Sequence, residues 1–165
     1  MKIYRKLSTI IVLLCVQAMF SVNATELQQL ADQAFKSGDY QKANSLYRRA
    51  LREDKGNAEI LLGIAKSEEV NGNIKQAKKF AKKAIKKDSQ LVDAYLVLGR
   101  MFGRQEKWQK ARHVYQAATV IDPQNELAAL GLGEALGRLG EQNKASSEFE
   151  RFKTLKAQKK NEQKD

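Results

Sequence analysis

The sequence predicts an all-α protein, a solenoid of repeated helical hairpins that follows an N-terminal leader. Residues with high helix propensity dominate the 165-residue chain, whereas proline occurs once and aromatic residues make up 7%. Small residues recur at a fixed interval along most of the sequence, which is the signature of a repeat architecture. A hydrophobic fraction of 42% beside a charged fraction of 30% allows such a chain to bury a core.

The N-terminal segment has the three parts of a secretory signal peptide. Three basic residues come first, residues 7–20 are mostly apolar and uncharged, and Val22-Asn23-Ala24 supplies a small-residue cleavage site. We therefore expect residues 1–24 to be a cleavable signal peptide and the mature protein, beginning at Thr25, to be periplasmic or secreted. Loss of the leader's three basic residues would lower the formal net charge from +11 to +8.

Two alternatives to cleavage remain open at this point. The apolar stretch is short for a bilayer crossing, but it could be retained as a membrane anchor. A lipoprotein attached through Cys15 is the other, although Leu14 stands where a small residue would be expected. Cys15 is the chain's one cysteine, so a mature chain from Thr25 would have no disulfide and would depend on packing for its stability.

Four columns of mainly small residues share a period of 34 residues, without insertion. The columns are Ala31, Ala65, Gly99 and Gly133; Gly38, Gly72, Glu106 and Gly140; Ala43, Ala77, Ala111 and Ala145; and Ala50, Ala84, Ala118 and Phe152. Each unit thus contains two helical stretches joined by a turn, where glycine tolerates a positive φ. The small residues within the helices allow close approach, and stacked hairpins bury the apolar face that one hairpin cannot.

These units resemble the tetratricopeptide repeat family. The third unit carries the family pattern in Tyr95, Leu98, Gly99, Phe102, Trp108, Ala111, Tyr115, Ala118 and Pro123. The resemblance implies a right-handed α-solenoid over residues 25–159, with repeats at about 24–57, 58–91, 92–125 and 126–159, then a polar tail at 160–165. It also implies a non-catalytic protein that binds another protein or a peptide. Glu68 departs from the pattern, because the family prefers an aromatic residue there.

The array is expected to end at the fourth unit, where Phe152 replaces the alanine of the other three. Phe149, Phe152 and Leu155 would then form an apolar end face. Either the last helix runs long and covers this face itself, or the face contacts a partner, such as a second copy in a homodimer. We expect residues 156–165, which are mostly polar, to fray.

The sequence contains no constellation typical of an enzyme or a cofactor site. Its one histidine, His113, stands without other metal ligands, and no phosphate-binding glycine-rich loop occurs. We interpret carboxylate pairs such as Glu68-Glu69 and Glu53-Asp54 as solvated helix charges. The prediction is a protein that is not an enzyme and needs no cofactor or metal.

The resemblance implies that one face of each first helix lines a concave groove that binds peptide. Its three predicted columns are Gln28, Leu62, Leu96 and Leu130; Asp32, Lys66, Arg100 and Glu134; and Lys36, Val70, Arg104 and Arg138. We expect the three leucines to be exposed there as an apolar patch; the alternative is that they pack between adjacent first helices. The arginines could hold carboxylates of an amphipathic or extended peptide. Gln28 and Asp32 stand where a subtype that clamps terminal carboxylates needs lysine and asparagine, so that activity is not predicted.

Residues 74–87 predict an amphipathic helix with one strongly basic side. Its basic surface is Lys75, Lys78, Lys79, Lys82, Lys83, Lys86 and Lys87. The surface is either a solvated helix face or a contact for an anionic membrane, cell-wall polymer or acidic partner. Nucleic acid is not expected, because it fits poorly with an exported chain and the basic side has no interleaved aromatic residues.

The sequence therefore supports three hypotheses for function. The first is an adaptor of the bacterial envelope that holds a partner polypeptide in its groove, as small exported repeat proteins do in pilus or secretion-system assembly. The second is a periplasmic chaperone that shields an exported subunit. The third is a binder of anionic membrane or wall surfaces through residues 74–87.

Overall fold

The computed structural model describes residues 23–162, which fold into eight helices paired as four hairpins. They are α1 (Ala24–Lys36), α2 (Tyr40–Glu53), α3 (Ala58–Val70), α4 (Ile74–Lys87), α5 (Val92–Gly103), α6 (Trp108–Ile121), α7 (Glu126–Arg138) and α8 (Gln142–Glu162). The prediction of an all-α array of about four helix-turn-helix repeats is confirmed. Most of the predicted signal peptide, up to residue 22, lies outside the described residues, as do residues 163–165.

Asparagine side chains begin three of the four first helices. Asn23, Asn57 and Asn125 each accept a hydrogen bond from the backbone N–H three residues on, at 2.9, 3.1 and 3.0 Å. At Asn23 the side chain of Glu26 also accepts from the Asn23 backbone N–H, which completes a capping box. Leu91 occupies the fourth equivalent position and provides no side-chain cap. Asn57 and Asn125 thus stabilise their helices by about 1 kcal/mol each, as does Asn23 in a chain that retains it, whereas the third repeat lacks such a cap.

The turn inside each hairpin requires a left-handed residue. Gly38, Gly72 and Gly140 have φ values of 84°, 76° and 80°. Glu106, in the column where the others have glycine, adopts the same region at φ 56°. The third repeat therefore keeps the turn geometry at a conformational cost that glycine would not incur.

Large and small side chains alternate at the interfaces between repeats. The ring of Tyr47 on α2 lies so close to Gly63 of the next repeat that a Cβ there would be 2.5 Å from its Cζ. Tyr115 on α6 lies equally close to Gly131. In the intermediate interface the same columns hold Ala81, which is buried, and Val97, which is fully buried. Each interface is filled either from the second helix or from the following first helix.

The first helices lie on the inside of the array and the second helices on the outside. Each first helix contacts the next, as α1 contacts α3, α3 contacts α5 and α5 contacts α7. Successive second helices have no Cα atoms within 8 Å of one another. The second helices therefore diverge and leave clefts between them, whereas the first helices form a continuous inner face.

The last helix covers much of the expected apolar end face. Phe149, Phe152 and Leu155 are all half-buried, and the Phe149 ring lies against Gly133. The Lys156 ammonium sits 5.5 Å from the centre of the Phe152 ring. The expected fraying from residue 156 is wrong for the described part, because α8 remains helical through Glu162. A longer helix shields more of this face, as the first of our two alternatives required.

Candidate protein-binding groove

The three predicted groove columns differ in how far they reach solvent. The first column is buried at Leu62 and Leu96, each 3% exposed, and half-buried at Gln28 and Leu130. The expected patch of exposed leucines is therefore wrong. Adjacent first helices contact one another, so a large side chain between them joins the core. Leu62 and Leu96 join the core as the alternative stated, whereas Leu130 is only half-buried.

The second column is occupied by internal pairs. The Asp32 carboxylate accepts a 2.5 Å hydrogen bond from the Tyr47 hydroxyl. Lys66 Nζ lies 2.5 Å from the carboxylate of Asp93. Glu134 is exposed, and no described residue forms an ion pair with it. Two of the predicted groove charges are thus already engaged.

Arg100 is also neutralised from within. Its guanidinium donates two hydrogen bonds to the Glu69 carboxylate, from Nε at 2.6 Å and Nη2 at 2.8 Å. These bonds raise the pKa of Arg100 even though burial opposes its charge. The pair joins α3 to α5 in a fork geometry that positions both side chains. Arg100 therefore serves the scaffold first and a ligand only secondarily.

The interpretation of Glu68-Glu69 as solvated charges is wrong. The two residues are 6% and 7% exposed. Glu68 accepts hydrogen bonds from Arg48 at 2.7 Å and from the side chain of Asn73 at 2.7 Å. Burial disfavours its charged form, but these bonds outweigh burial and lower the pKa of Glu68. Both carboxylates are partners for arginines on neighbouring helices, and no spacing within their own helix reveals this.

The third column is the part of the predicted groove that faces solvent throughout. Lys36, Val70, Arg104 and Arg138 are all exposed, and Val70 is 50% exposed. Arg104 donates to the backbone carbonyl of Glu69 at 3.0 Å, which leaves its charge without a carboxylate. The Arg138 guanidinium stacks 5.3 Å from the Trp108 ring. Three cations and one apolar side chain thus follow one edge of the inner face.

The sequence interpretation missed one apolar member of this face. Leu127 is 49% exposed and lies one repeat after Asp93, in the same column. Since Asp93 reaches Lys66 across adjacent first helices, this column borders the inner face. The 34-residue period alone would have placed Leu127 there.

The predicted basic surface is on the outer side of the array. Six of its seven lysines are exposed, and Lys78 is half-buried. Lys78 Nζ donates to the side-chain oxygen of Gln105 at 2.5 Å. Burial and the neighbouring charges of Lys107, Lys82 and Lys110 lower the pKa of Lys78. The buried side of the same helix holds Phe80 and three alanines, as the amphipathic pattern predicted.

Residues 23–162 contain no group of three or more potential metal-binding side chains. His113 is exposed on α6. Over the same stretch, none of the helices combines the length and the apolar character needed to span a bilayer.

The tetratricopeptide repeat family matches residues 34–101 and, in a second form, residues 96–158. The chain belongs to this family, whose members are usually non-catalytic binding proteins. No curated protein sequence matches the chain.

Solved structures share the fold at low sequence identity. A crystal structure of MamA is 20% identical, with a TM-score of 0.79 over 88% of this chain and 85% of that one. A thermophilic tetratricopeptide repeat protein of Thermus thermophilus is 22% identical, with a TM-score of 0.70 over 80% and 74%. The first such domain of Spaghetti (RPAP3), bound to the HSP90 peptide SRMEEVD, is 20% identical, with a TM-score of 0.69 over 72% and 94%.

Proposed function

We propose that this protein is a non-catalytic scaffold that binds a partner polypeptide on its concave inner face. The observation that carries the proposal is the exposed third column, Lys36, Val70, Arg104 and Arg138. It places one solvent-facing side chain at the C-terminal end of each first helix, along one edge. Members of the family are usually binding proteins, and the Spaghetti (RPAP3) domain, which has a similar fold, holds an HSP90 peptide. An extended peptide that crosses the four repeats would meet these side chains in turn.

The chemistry of the column indicates the kind of peptide. Arg104 and Arg138 can form charge-assisted hydrogen bonds to carboxylates, because no described carboxylate neutralises them. Val70, at the C-terminal end of α3, and Leu127, near the N-terminal end of α7, are two exposed apolar side chains on first helices. The ligand proposed is therefore an acidic segment that also carries apolar side chains. Since Gln28 and Asp32 occupy the clamp positions, capture of a terminal carboxylate in the manner of the clamp subtype is not proposed.

The test reverses the charge of the exposed column and leaves the scaffold pairs intact. Arg104→Glu with Arg138→Glu should abolish capture of partners from cell-envelope extracts, whereas the outer-face pair Lys75→Glu with Lys79→Glu should not. Both variants change the net charge equally. Arg100 and Leu96 are unsuitable targets, because the first holds Glu69 and the second is buried. Equal capture by both variants and the wild type would refute the groove as the binding site.

The cellular setting proposed is the bacterial envelope, in the assembly of a pilus or secretion system. Its support is the three-part leader pattern at residues 1–24. Cell fractionation and mass spectrometry of the mature N-terminus test it. Recovery of the full-length chain in the cytoplasmic fraction would contradict it, whatever the outcome of the groove experiment.

A further inference from the structure

A strongly cationic cleft lies on the outer face, between α2 and α4. It has a volume of about 550 Å³. Its lining residues are Arg48, Leu51, Arg52, Lys55, Leu61, Lys83, Lys86 and Lys87. Six of these eight side chains are cations and the other two are leucines. The cleft exists because the two second helices diverge, and α3 supplies Leu61 at its floor.

Five of the six cations that line this cleft form no ion pair with a described residue. Arg48 is an exception, since its guanidinium pairs with Glu68 at 2.7 Å and lies 4.9 Å from the Phe80 ring. The remaining five, Arg52, Lys55, Lys83, Lys86 and Lys87, are exposed, and none forms an ion pair with another described residue. Like charges so close together repel, so an anionic occupant would be attracted.

A second outer cleft of the same fold shows the contrast. The cleft between α6 and α8 is lined by Arg112, Lys144, Glu141 and Glu148 among others. There Glu141 pairs with Arg112 at 2.6 Å and with Lys144 at 2.7 Å. The cleft between α6 and α8 thus contains its own counter-charges, whereas every charged residue that lines the cleft between α2 and α4 is a cation. An outer cleft of this array does not need uncompensated lysines for its structure.

The floor of the cationic cleft distinguishes between anionic ligands. Leu51 is half-buried and Leu61 is 3% exposed, so an apolar strip lies between two cationic rims. A phosphate or lipid headgroup would use the rims and gain nothing from a recessed apolar floor. A polypeptide segment can place an apolar side chain over Leu51 and its carboxylates on either rim.

We infer that the cleft between α2 and α4 binds an acidic polypeptide segment that carries a large apolar side chain. It would be a second protein-binding site on the opposite face from the groove, so one chain could hold two partners at once. The inference rests on its own residues and does not require the groove to bind.

The probes are fluorescein-labelled peptides composed of glutamate and leucine, and matched peptides of glutamate alone. The cleft variant Lys83→Gln, Lys86→Gln, Lys87→Gln is compared with Lys75→Gln, Lys79→Gln, Lys82→Gln, which changes three lysines of the same helix outside the cleft. At low ionic strength we expect the cleft variant to bind the glutamate–leucine peptide roughly tenfold more weakly and the control variant to bind as the wild type does. Leu51→Ala should weaken binding of the glutamate–leucine peptide and leave the affinity for the all-glutamate peptide unchanged. Circular dichroism checks that the variant keeps its helicity.

Four outcomes would overturn the inference. Equal weakening by both lysine variants would mean that the charge acts as a diffuse patch. Equal affinity for both peptides would show that the floor plays no part. Binding to phosphatidylserine vesicles without binding to the peptides would identify a membrane surface as the ligand. Loss of peptide binding in the Arg104→Glu, Arg138→Glu variant alone would place the peptide in the groove, which supports the proposed function and refutes the cleft.

Discussion

The double substitution Tyr47→Ala, Gly63→Val would give the first inter-repeat interface the same two side chains as the second, where these columns hold Ala81 and Val97. The prediction is that each single change is costly and that the pair is much less costly than their sum. The physical reason is that one volume between α2 and α3 can be filled from either side, but not from both and not from neither.

The structure gives the magnitudes. Tyr47 is 4% exposed, so Tyr47→Ala is expected to cost about 4 kcal/mol in cavity formation and lost burial. At Gly63 a Cβ would lie 2.5 Å from both Cε1 and Cζ of that ring. Gly63→Val should therefore cost about 2 kcal/mol, as overpacking exceeds the gain in helix propensity. The double variant should lose about 3 kcal/mol, because the introduced valine occupies the vacated space while Asp32 still loses its hydroxyl partner.

Guanidinium denaturation of the wild type, the two single variants and the double variant measures the coupling between positions 47 and 63. Circular dichroism follows all helices, whereas the fluorescence of Trp108, the one tryptophan, reports the third repeat. Disagreement between the two probes would show that the first repeat unfolds separately, in which case its own transition is the one to compare. Additivity of the two single changes within about 0.5 kcal/mol would refute the account of shared volume.

The third interface provides a matched control. Tyr115 lies against Gly131 of the next repeat and also against Gly99 of its own, where the first repeat has Ala31. Tyr115→Ala with Gly131→Val leaves the space at Gly99 unfilled. We therefore expect less compensation in this pair than in the Tyr47 pair, measured by the same denaturation.

Three further predictions concern the hairpin turns, a buried carboxylate and the first helix cap. Glu106→Gly should raise the free energy of unfolding by about 1 kcal/mol, because φ is 56° there, and Gly72→Ala at φ 76° should lower it similarly. Denaturant titration tests both variants. A lower free energy of unfolding in Glu106→Gly would mean that the glutamate side chain contributes stabilising contacts. Glu68→Gln should destabilise the protein at neutral pH, and the difference should shrink as pH falls below the ordinary carboxyl pKa of 4.5 and through the lowered native value; a pH-independent difference in melting temperature would contradict the ion pair. A chain that begins at residue 25 lacks the Asn23 cap, so its free energy of unfolding should be about 1 kcal/mol lower than that of a chain that begins at residue 23. Equal denaturation midpoints for the two chains would show that the cap has no effect.

The repeat could be predicted from sequence because packing imposes it at every position in the same way. The columns of Ala43 and Ala31 are buried in the structure because each hairpin needs small residues at its crossing. The outer lysines of α4 followed equally from helical period, since one helix decides which side of itself is apolar. Both features depend either on one helix alone or on contacts that recur unchanged in every repeat.

The groove could be predicted only as a set of columns. Leu62 and Leu96 were expected to be exposed, but their exposure depends on how closely α3 and α5 approach, which no single repeat encodes. Arg100 was expected to hold a ligand carboxylate, but Glu69 on a neighbouring helix neutralises it. Lys66 of the same predicted column is likewise paired with Asp93. The missing information is the distance between repeats.

By itself, the sequence determined the helical hairpins, their number over the array, their turns and their buried small residues, because a 34-residue period records the same contacts in each unit. Only the tertiary structure decided which polar side chains remain available to a partner. Ion pairs and clefts form between helices of different repeats, and their geometry depends on the rotation of one hairpin against the next, which the period leaves unspecified.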